Sequence, residues 1–371
     1  LLQRTVVCLS GFGVYCILFS AWKSHLIILF NMSKNDKMKE FMENMPNPDA
    51  IFQSWWPFII AGLAGVLYGF RSWARGPKCV GGSKLNGKTA IVTGANCGVG
   101  KALATEFARR GARVILACRN QTAGKEAEEE IRKEARSNNV VFMKLDLSSF
   151  KSIREFVDKF NEKEERLHLL VNNAGVMMCP EEKSADKFEL QFAVNYLGTF
   201  LLTELLLDKL KASAPGRIIN MTSAAAGLGE IDFDDINLKE SYTPGKALAQ
   251  SKFAVMLYTL HLAERLKDTK VTVNVANPGI VNSNGHRYMP FKTSKFIRIS
   301  FAPFVWFLMK TNEDGAQTVV FCATAEELEG VTGKFYKDCQ EAKLEEKMQD
   351  TELQQKLYKA SLEWTKVDKK E

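Results

Sequence analysis

Between residues 85 and 340, short β-branched apolar runs alternate with longer stretches of helical period. Residues 89–93 (TAIVT), 114–118 (VILAC), 140–145 (VVFMKL), 167–171 (LHLLV) and 217–221 (RIINM) each read as a buried strand. Helical patterns follow them at 101–108, at the charged, amphipathic 122–136, at 153–160, and in two long apolar stretches at 192–210 and 251–266. This rhythm predicts an α/β fold: a doubly wound, mostly parallel sheet with helices on both faces, three layers in all.

Ahead of that region the pattern changes. Residues 5–22 are uncharged, and residues 26–30 extend the apolar run. A second apolar stretch, 51–70, contains Trp55-Trp56-Pro57 and is long enough to cross a bilayer, with tryptophans at one interface. Arg71, Arg75, Lys78, Lys84 and Lys88 follow closely, which predicts the folded domain on the cytosolic side. The expectation is one or two N-terminal membrane-anchor helices. Residues 1–31 read either as an apolar extension of the chain or as a segment before an internal start at Met32. The expected organisation is then 1–31 extension, 32–84 polar segment and anchor, 85–340 α/β domain, and 341–371 a charged C-terminal helix.

Composition narrows the partners. The chain has 371 residues, 46% hydrophobic, enough for one full core. Its net charge of +7 comes without a zinc finger, recognition helix or basic-aromatic stripe, so no nucleic-acid partner is expected and a membrane-facing surface is. The eight cysteines are scattered without a CxxC pair, as in a reducing compartment. Residues 291–309 are aromatic and apolar with sparse charge, which predicts a greasy lid or a membrane-dipping helix. Such a lid beside an anchor favours a lipophilic small-molecule substrate; homo-oligomerisation stays open.

The chemistry begins at the end of the first strand. There Gly94-Ala95-Asn96-Cys97-Gly98-Val99-Gly100 leads into a helix. Strand, glycine-rich turn and helix make a dinucleotide site: a tight turn at Gly94, backbone open to pyrophosphate at Gly98, close helix packing at Gly100. The next strand ends in Arg119, with no carboxylate to take a ribose 2′-hydroxyl. A guanidinium there suits a 2′-phosphate, favouring NADP(H). Asp146, with Leu147 beside it, accepts from the adenine amine or caps its own turn. The fourth strand runs into Asn173-Ala174-Gly175, and Pro278-Gly279 completes the cofactor-binding set. Ser223, just past strand 217–221, is the hydroxyl to hold a substrate oxygen. Asn195 is unusual inside an apolar helix unless it has partners, a backbone carbonyl or a water near a lysine.

Proton transfer needs a phenol with an ammonium nearby. Tyr242 and Lys246 have the four-residue spacing that puts both on one helical face. Thr243-Pro244, however, reads as an N-cap and first helical residue, which leaves Tyr242 ahead of the helix. Lys252 lies deeper in the helix, and four residues before it is Leu248.

The pieces TGANCGVGK (93–101), ACR (117–119), DLSS (146–149), NNAGVM (172–177), NYLGTF (195–200), RIINMTS (217–223), AQSK (249–252) and NPG (277–279) resemble the short-chain dehydrogenase/reductase family, in its membrane-anchored retinol dehydrogenase-like branch. The resemblance covers roughly 85–340. It implies a Rossmann fold and an NADP(H)-dependent oxidoreductase that interconverts a lipophilic alcohol, retinoid or polyprenoid-like, with its aldehyde or ketone. It places Asn195, Ser223 and Lys252 in the family's asparagine, serine and lysine roles, and puts Leu248 where the tyrosine belongs. That departure leaves Tyr242, water or Ser223 as proton donor. It also motivates a second expectation, a membrane-tethered, cofactor-binding pseudoenzyme acting as sensor or scaffold. Asn277, and Asn282-Ser283-Asn284 beyond the proline-glycine, depart mildly from the family pattern near the nicotinamide carboxamide. The endoplasmic reticulum is the expected membrane, the mitochondrion the second.

Overall fold

In the computed structural model, which describes residues 55–79, 81–283, 285, 287–289 and 295–367, the first apolar run forms β1 (Thr89–Thr93), buried along its whole length. Its side chains alternate between two cores. Ile91 packs on one face of the sheet, Ala90 and Val92 on the other, and β2 (Arg113–Cys118) repeats this with Ile115 against Val114 and Leu116. A strand covered on both faces must be apolar at every position, and for that reason these runs show no polar alternation.

The remaining strands are β3 (Val140–Lys144), β4 (Leu169–Asn172), β5 (Gly216–Met221), β6 (Val271–Asn277), β7 (Phe335–Lys337) and β8 (Gln340–Glu341). They form one sheet in the order β3-β2-β1-β4-β5-β6-β7-β8, parallel except for β8. The chain winds outward from β1 to β3, then returns and winds the other way from β4. The strand order therefore reverses between β1 and β4, and the crevice beyond their carboxyl ends is where such folds bind ligands.

Helices α2 (Gly98–Arg109) and α3 (Gln121–Ala135) supply one core, as does α8 (Asn312–Thr324). Helices α4 (Phe150–Lys163), α5 (Leu190–Ala212) and α6 (Pro244–Arg265) supply the other. The three-layer, mostly parallel architecture expected from the pattern is present. Helix α5 contains a π-turn over Ala193–Leu197 that the sequence pattern did not signal.

The C-terminal pattern needs correction. Its charged residues do not form a helix from 341 onward: β8 ends at Glu341, and α9 runs only over Thr351–Thr365, capped where Leu353 N–H donates to Asp350. Leu357 and Ser361 are buried, so α9 is part of the core and not a surface appendage.

The chain divides into two units, Leu1–Tyr68 and Gly69–Glu371. Of the first, residues 55–68 are described, and the expectations for residues 1–31 and for the polar segment to 49 lie outside the described residues. Helix α1 (Trp56–Arg75) carries no buried residue and exposes Phe58, Ile60, Leu63, Val66 and Leu67. Among the described residues, however, the helix that is long and apolar enough to cross a membrane is α5, and its window is 89% buried. Apolarity all round thus marks a core helix there. Of the aromatic stretch expected as a lid, residues 295–308 form α7 (Lys295–Leu308), with Ile299 and Trp306 exposed and Phe307 stacked on Phe70, and residues 291–294 lie outside the described residues.

Candidate active site

The site gathers at the β1/β4 crevice. Gly94 ends β1 with φ +67°, and its N–H donates to Ala117 O (2.8 Å), which makes the tight turn. Gly98 also has positive φ, and a Cβ built there would touch Ser283 Cβ (3.4 Å) and Asn312 Oδ1 (3.7 Å) at ordinary van der Waals distance, so the missing side chain leaves room of about one methyl at the start of the helix. Gly100 differs: a Cβ would stand 2.4 Å from Gly94 O and 2.5 Å from Asn173 Nδ2, so helix and turn are in direct contact. Val99 is buried beneath, and Asn96 is half-buried in the turn. An approachable backbone at the mouth of a helix, closed behind by sterics, fits a dinucleotide pyrophosphate.

The fourth strand's loop is tied to the first. Asn173 Nδ2 donates to Thr93 O (2.7 Å), and Ala174 N–H donates to Thr93 Oγ1 (2.9 Å). Arg119 stands exposed at the end of β2, where its guanidinium reaches solvent. Asp146 closes its own turn, accepting from Ser148 N–H (3.0 Å) and Ser148 Oγ (2.7 Å). Leu147 is buried, and its carbonyl lies against Gly198 of α5. Gly279, φ +78°, follows Pro278, and its N–H donates to Asn277 Oδ1 (2.9 Å).

On the chemical side, Asn195 spends its carboxamide on the protein. Its Oδ1 accepts from Val176 N–H (2.8 Å), and its Nδ2 donates to Val176 O and Ser251 Oγ (both 3.0 Å). Ser251 Oγ in turn donates to Leu248 O (2.8 Å). Asn195 thereby locks the loop after Gly175 to the helix that carries Lys252. Ser251 and Thr93 are partners that sequence reasoning passed over, because neither stands out among ordinary hydroxyl residues.

Lys252 is 4% exposed and donates from Nζ to Met221 O (3.0 Å). Burial pushes its ammonium down to about 8. A Cβ on Gly175 would stand 3.7 Å from Nζ, so the lysine head lies between the ends of β4 and β5. Ser223 follows β5, and its Oγ is buried with no hydrogen-bond partner among the described residues. A buried hydroxyl left unpaired is costly unless a ligand completes it.

A short chain dehydrogenase family model matches residues 88–290. The chain is 44% identical over 303 residues to retinol dehydrogenase 13 of Homo sapiens, covering 81% of this chain and 91% of that one. It is 47% identical over 262 residues to retinol dehydrogenase 11 of Mus musculus, covering 71% and 81%. The chain belongs to the short-chain dehydrogenase family. Within it the similarity is to the retinol dehydrogenase-like branch. A solved structure from Beutenbergia cavernae, described as an NAD(P) dependent gluconate 5-dehydrogenase with NADP bound at low occupancy, matches with a TM-score of 0.55 at 26% identity, covering 69% of this chain and 96% of that one.

For a short-chain dehydrogenase, the two tyrosine-lysine alternatives become a question of position. Thr243 caps α6, accepting from Lys246 N–H, and Pro244 is its first residue. Tyr242 lies before the helix and its hydroxyl donates to Cys179 O (2.9 Å). Burial pushes its phenol well up, and Cys179 and Glu189 add to the rise. Lys246 is exposed and turns to Ser241 Oγ (2.6 Å), so this pair does not converge. Leu248 sits one turn before Lys252 on α6 and is 9% exposed.

Proposed function

We propose that this short-chain dehydrogenase is an NADP(H)-dependent oxidoreductase that interconverts a lipophilic alcohol with its aldehyde or ketone. The observation that carries this reading is an unpartnered, buried Ser223 Oγ just past β5, with the buried Lys252 head donating to Met221 O at the end of the same strand. The bound nicotinamide would supply or accept the hydride. Gly94, Asn96, Gly98, Val99 and Gly100 would hold its pyrophosphate, with Arg119 on the 2′-phosphate. Asp146 and Leu147 would flank the adenine, and Asn173, Ala174, Gly175, Pro278 and Gly279 would border the nicotinamide half. Ser223 donates to the substrate oxygen. Lys252 holds the ribose, and its ammonium lowers the cost of negative charge on that oxygen. Asn195 keeps the loop and helix registered.

Leu248 occupies the position we assign to the family's tyrosine, so the proton must come from elsewhere: from Tyr242 after it leaves Cys179 O, from Ser223, or from water. The names of the relatives favour a retinoid, and a polyprenoid fits the same apolar chemistry. Helix α1, with no buried residue and a basic stretch after it, supports a membrane anchor with the enzyme domain from about residue 85 facing the cytosol. Leu248 also favours a second reading, a membrane-tethered pseudoenzyme that binds cofactor without turnover.

The test is NADPH-dependent reduction of all-trans-retinal and a short polyprenal by the detergent-solubilised protein, beside Leu248→Tyr and Tyr242→Phe. An active enzyme turns over slowly, and Leu248→Tyr raises kcat by about 10²–10⁴. Loss of activity in Tyr242→Phe alone identifies Tyr242 as donor. If every variant binds NADPH and only Leu248→Tyr turns over, the pseudoenzyme reading replaces the first.

A further inference from the structure

Asn312 opens α8 beside the phosphate turn. Its Oδ1 is buried and has no hydrogen-bond partner among the described residues. It lies 3.7 Å from where a Cβ on Gly98 would stand, at ordinary contact distance from the glycine that opens α2. A half-turn about χ2 exchanges the oxygen for the amide donors, so the same side chain can offer two N–H groups at that point. Its position is held by packing. One turn further, a Cβ on Gly315 would stand 2.5 Å from Val281 Cγ2 and 3.3 Å from Val99 Cγ2, which presses α8 against the first turn of α2. Thr311 and Asp314 cap α8 reciprocally.

Asp314 is an awkward neighbour for a polyphosphate, because its carboxylate lies in the same first turn and is 5% exposed. Arg75, the last residue of α1, takes that charge, with Nε 2.6 Å from Oδ2 and Nη2 3.3 Å from Oδ1. Burial alone would raise the Asp314 carboxyl, yet Arg75 and Thr311 hold it below its ordinary value. The segment after Arg75 continues along α8, with Cys79 N–H donating to Gln317 Oε1 (2.8 Å) and Ser83 N–H to Thr324 O (2.8 Å).

We propose that Asn312 is a cofactor ligand, donating from Nδ2 to a pyrophosphate oxygen, and that Arg75 is a positioning residue that holds α8 and cancels the Asp314 charge beside it. The inference rests on the NADP(H) reading above. It extends the cofactor site's support back to Arg75, at the end of the apolar helix α1.

The experiment measures NADPH affinity of the full chain in detergent by fluorescence, and affinity for 2′-AMP, which carries the 2′-phosphate without the pyrophosphate. Asn312→Ala should weaken NADPH about tenfold and leave 2′-AMP unchanged. Asn312→Asp suits the first turn of a helix but repels phosphate, so it should weaken NADPH further while the unfolding midpoint holds or rises. Arg75→Ala should weaken NADPH similarly, and adding Asp314→Asn should restore part of the loss. If Asn312→Ala binds NADPH as the native chain does, or loses both ligands equally, the proposal is overturned. A native chain that binds no NADPH overturns the reading beneath it as well.

Discussion

Lys252 shows how one residue couples the site to folding. Its ammonium is fully buried with one protein hydrogen bond, and its pKa falls from 10.5 to about 8. Between those values the unfolded chain binds a proton that the folded chain does not, so stability rises with pH through that window. Below about 8 both states are protonated and the full cost of burying the charge stands, of order 3 kcal/mol. In the cofactor-free protein, then, the stability of the native chain relative to Lys252→Met should improve from pH 8 to pH 10.5, read by denaturant unfolding. A flat difference would mean that Lys252 is not desolvated in solution. None of this is legible in the string Ser251-Lys252, since the depressed pKa comes from what covers the lysine. The position of Tyr242 ahead of its helix, by contrast, was legible, because Thr243-Pro244 is a local cap signal.

At the scale of the element, the glycine turn separates two kinds of glycine that the motif alone treats alike. Gly98 has positive φ and room for a methyl only in van der Waals contact with Ser283 and Asn312, so Gly98→Ala should cost about 1 kcal/mol of stability while weakening NADPH more than tenfold, because the methyl crowds the backbone proposed to hold the pyrophosphate. Gly100 has no room for a methyl against Gly94 O, so Gly100→Ala should lower stability by about 1–3 kcal/mol and binding with it. Unfolding midpoints measured beside NADPH affinities check both. Should Gly98→Ala bind normally, the turn does not contact the pyrophosphate. Strand-turn-helix was readable because periodicity and glycine spacing are local. The π-turn at Asn195 was not, since a single wide turn leaves the apolar spacing of α5 almost unchanged.

Over the whole molecule, the two cores set which segments belong to the domain. Helix α9 lies in the stretch expected as a charged C-terminal helix, and its inner face belongs to the core: Leu357 is 1% exposed and Tyr196 shares a 2.7 Å hydrogen bond with Ser361. Ending the chain after Asp350 should therefore remove at least about 5 kcal/mol of burial, seen as loss of a cooperative unfolding transition. Retention of native stability would make α9 dispensable. By itself the sequence determined the α/β rhythm, the dinucleotide turn and the absence of a carboxylate after β2, because strand period, helix period and turn chemistry act over a few residues. It also offered two lysines as partners for a phenol. Only the tertiary structure decided which of them is buried, between the ends of β4 and β5, that α5 is a core helix despite its apolar length, that Asn312 lies against Gly98, and that Arg75 pairs with Asp314. Those are contacts between residues tens to hundreds of positions apart, fixed by how the helices pack on the sheet and not by any local pattern.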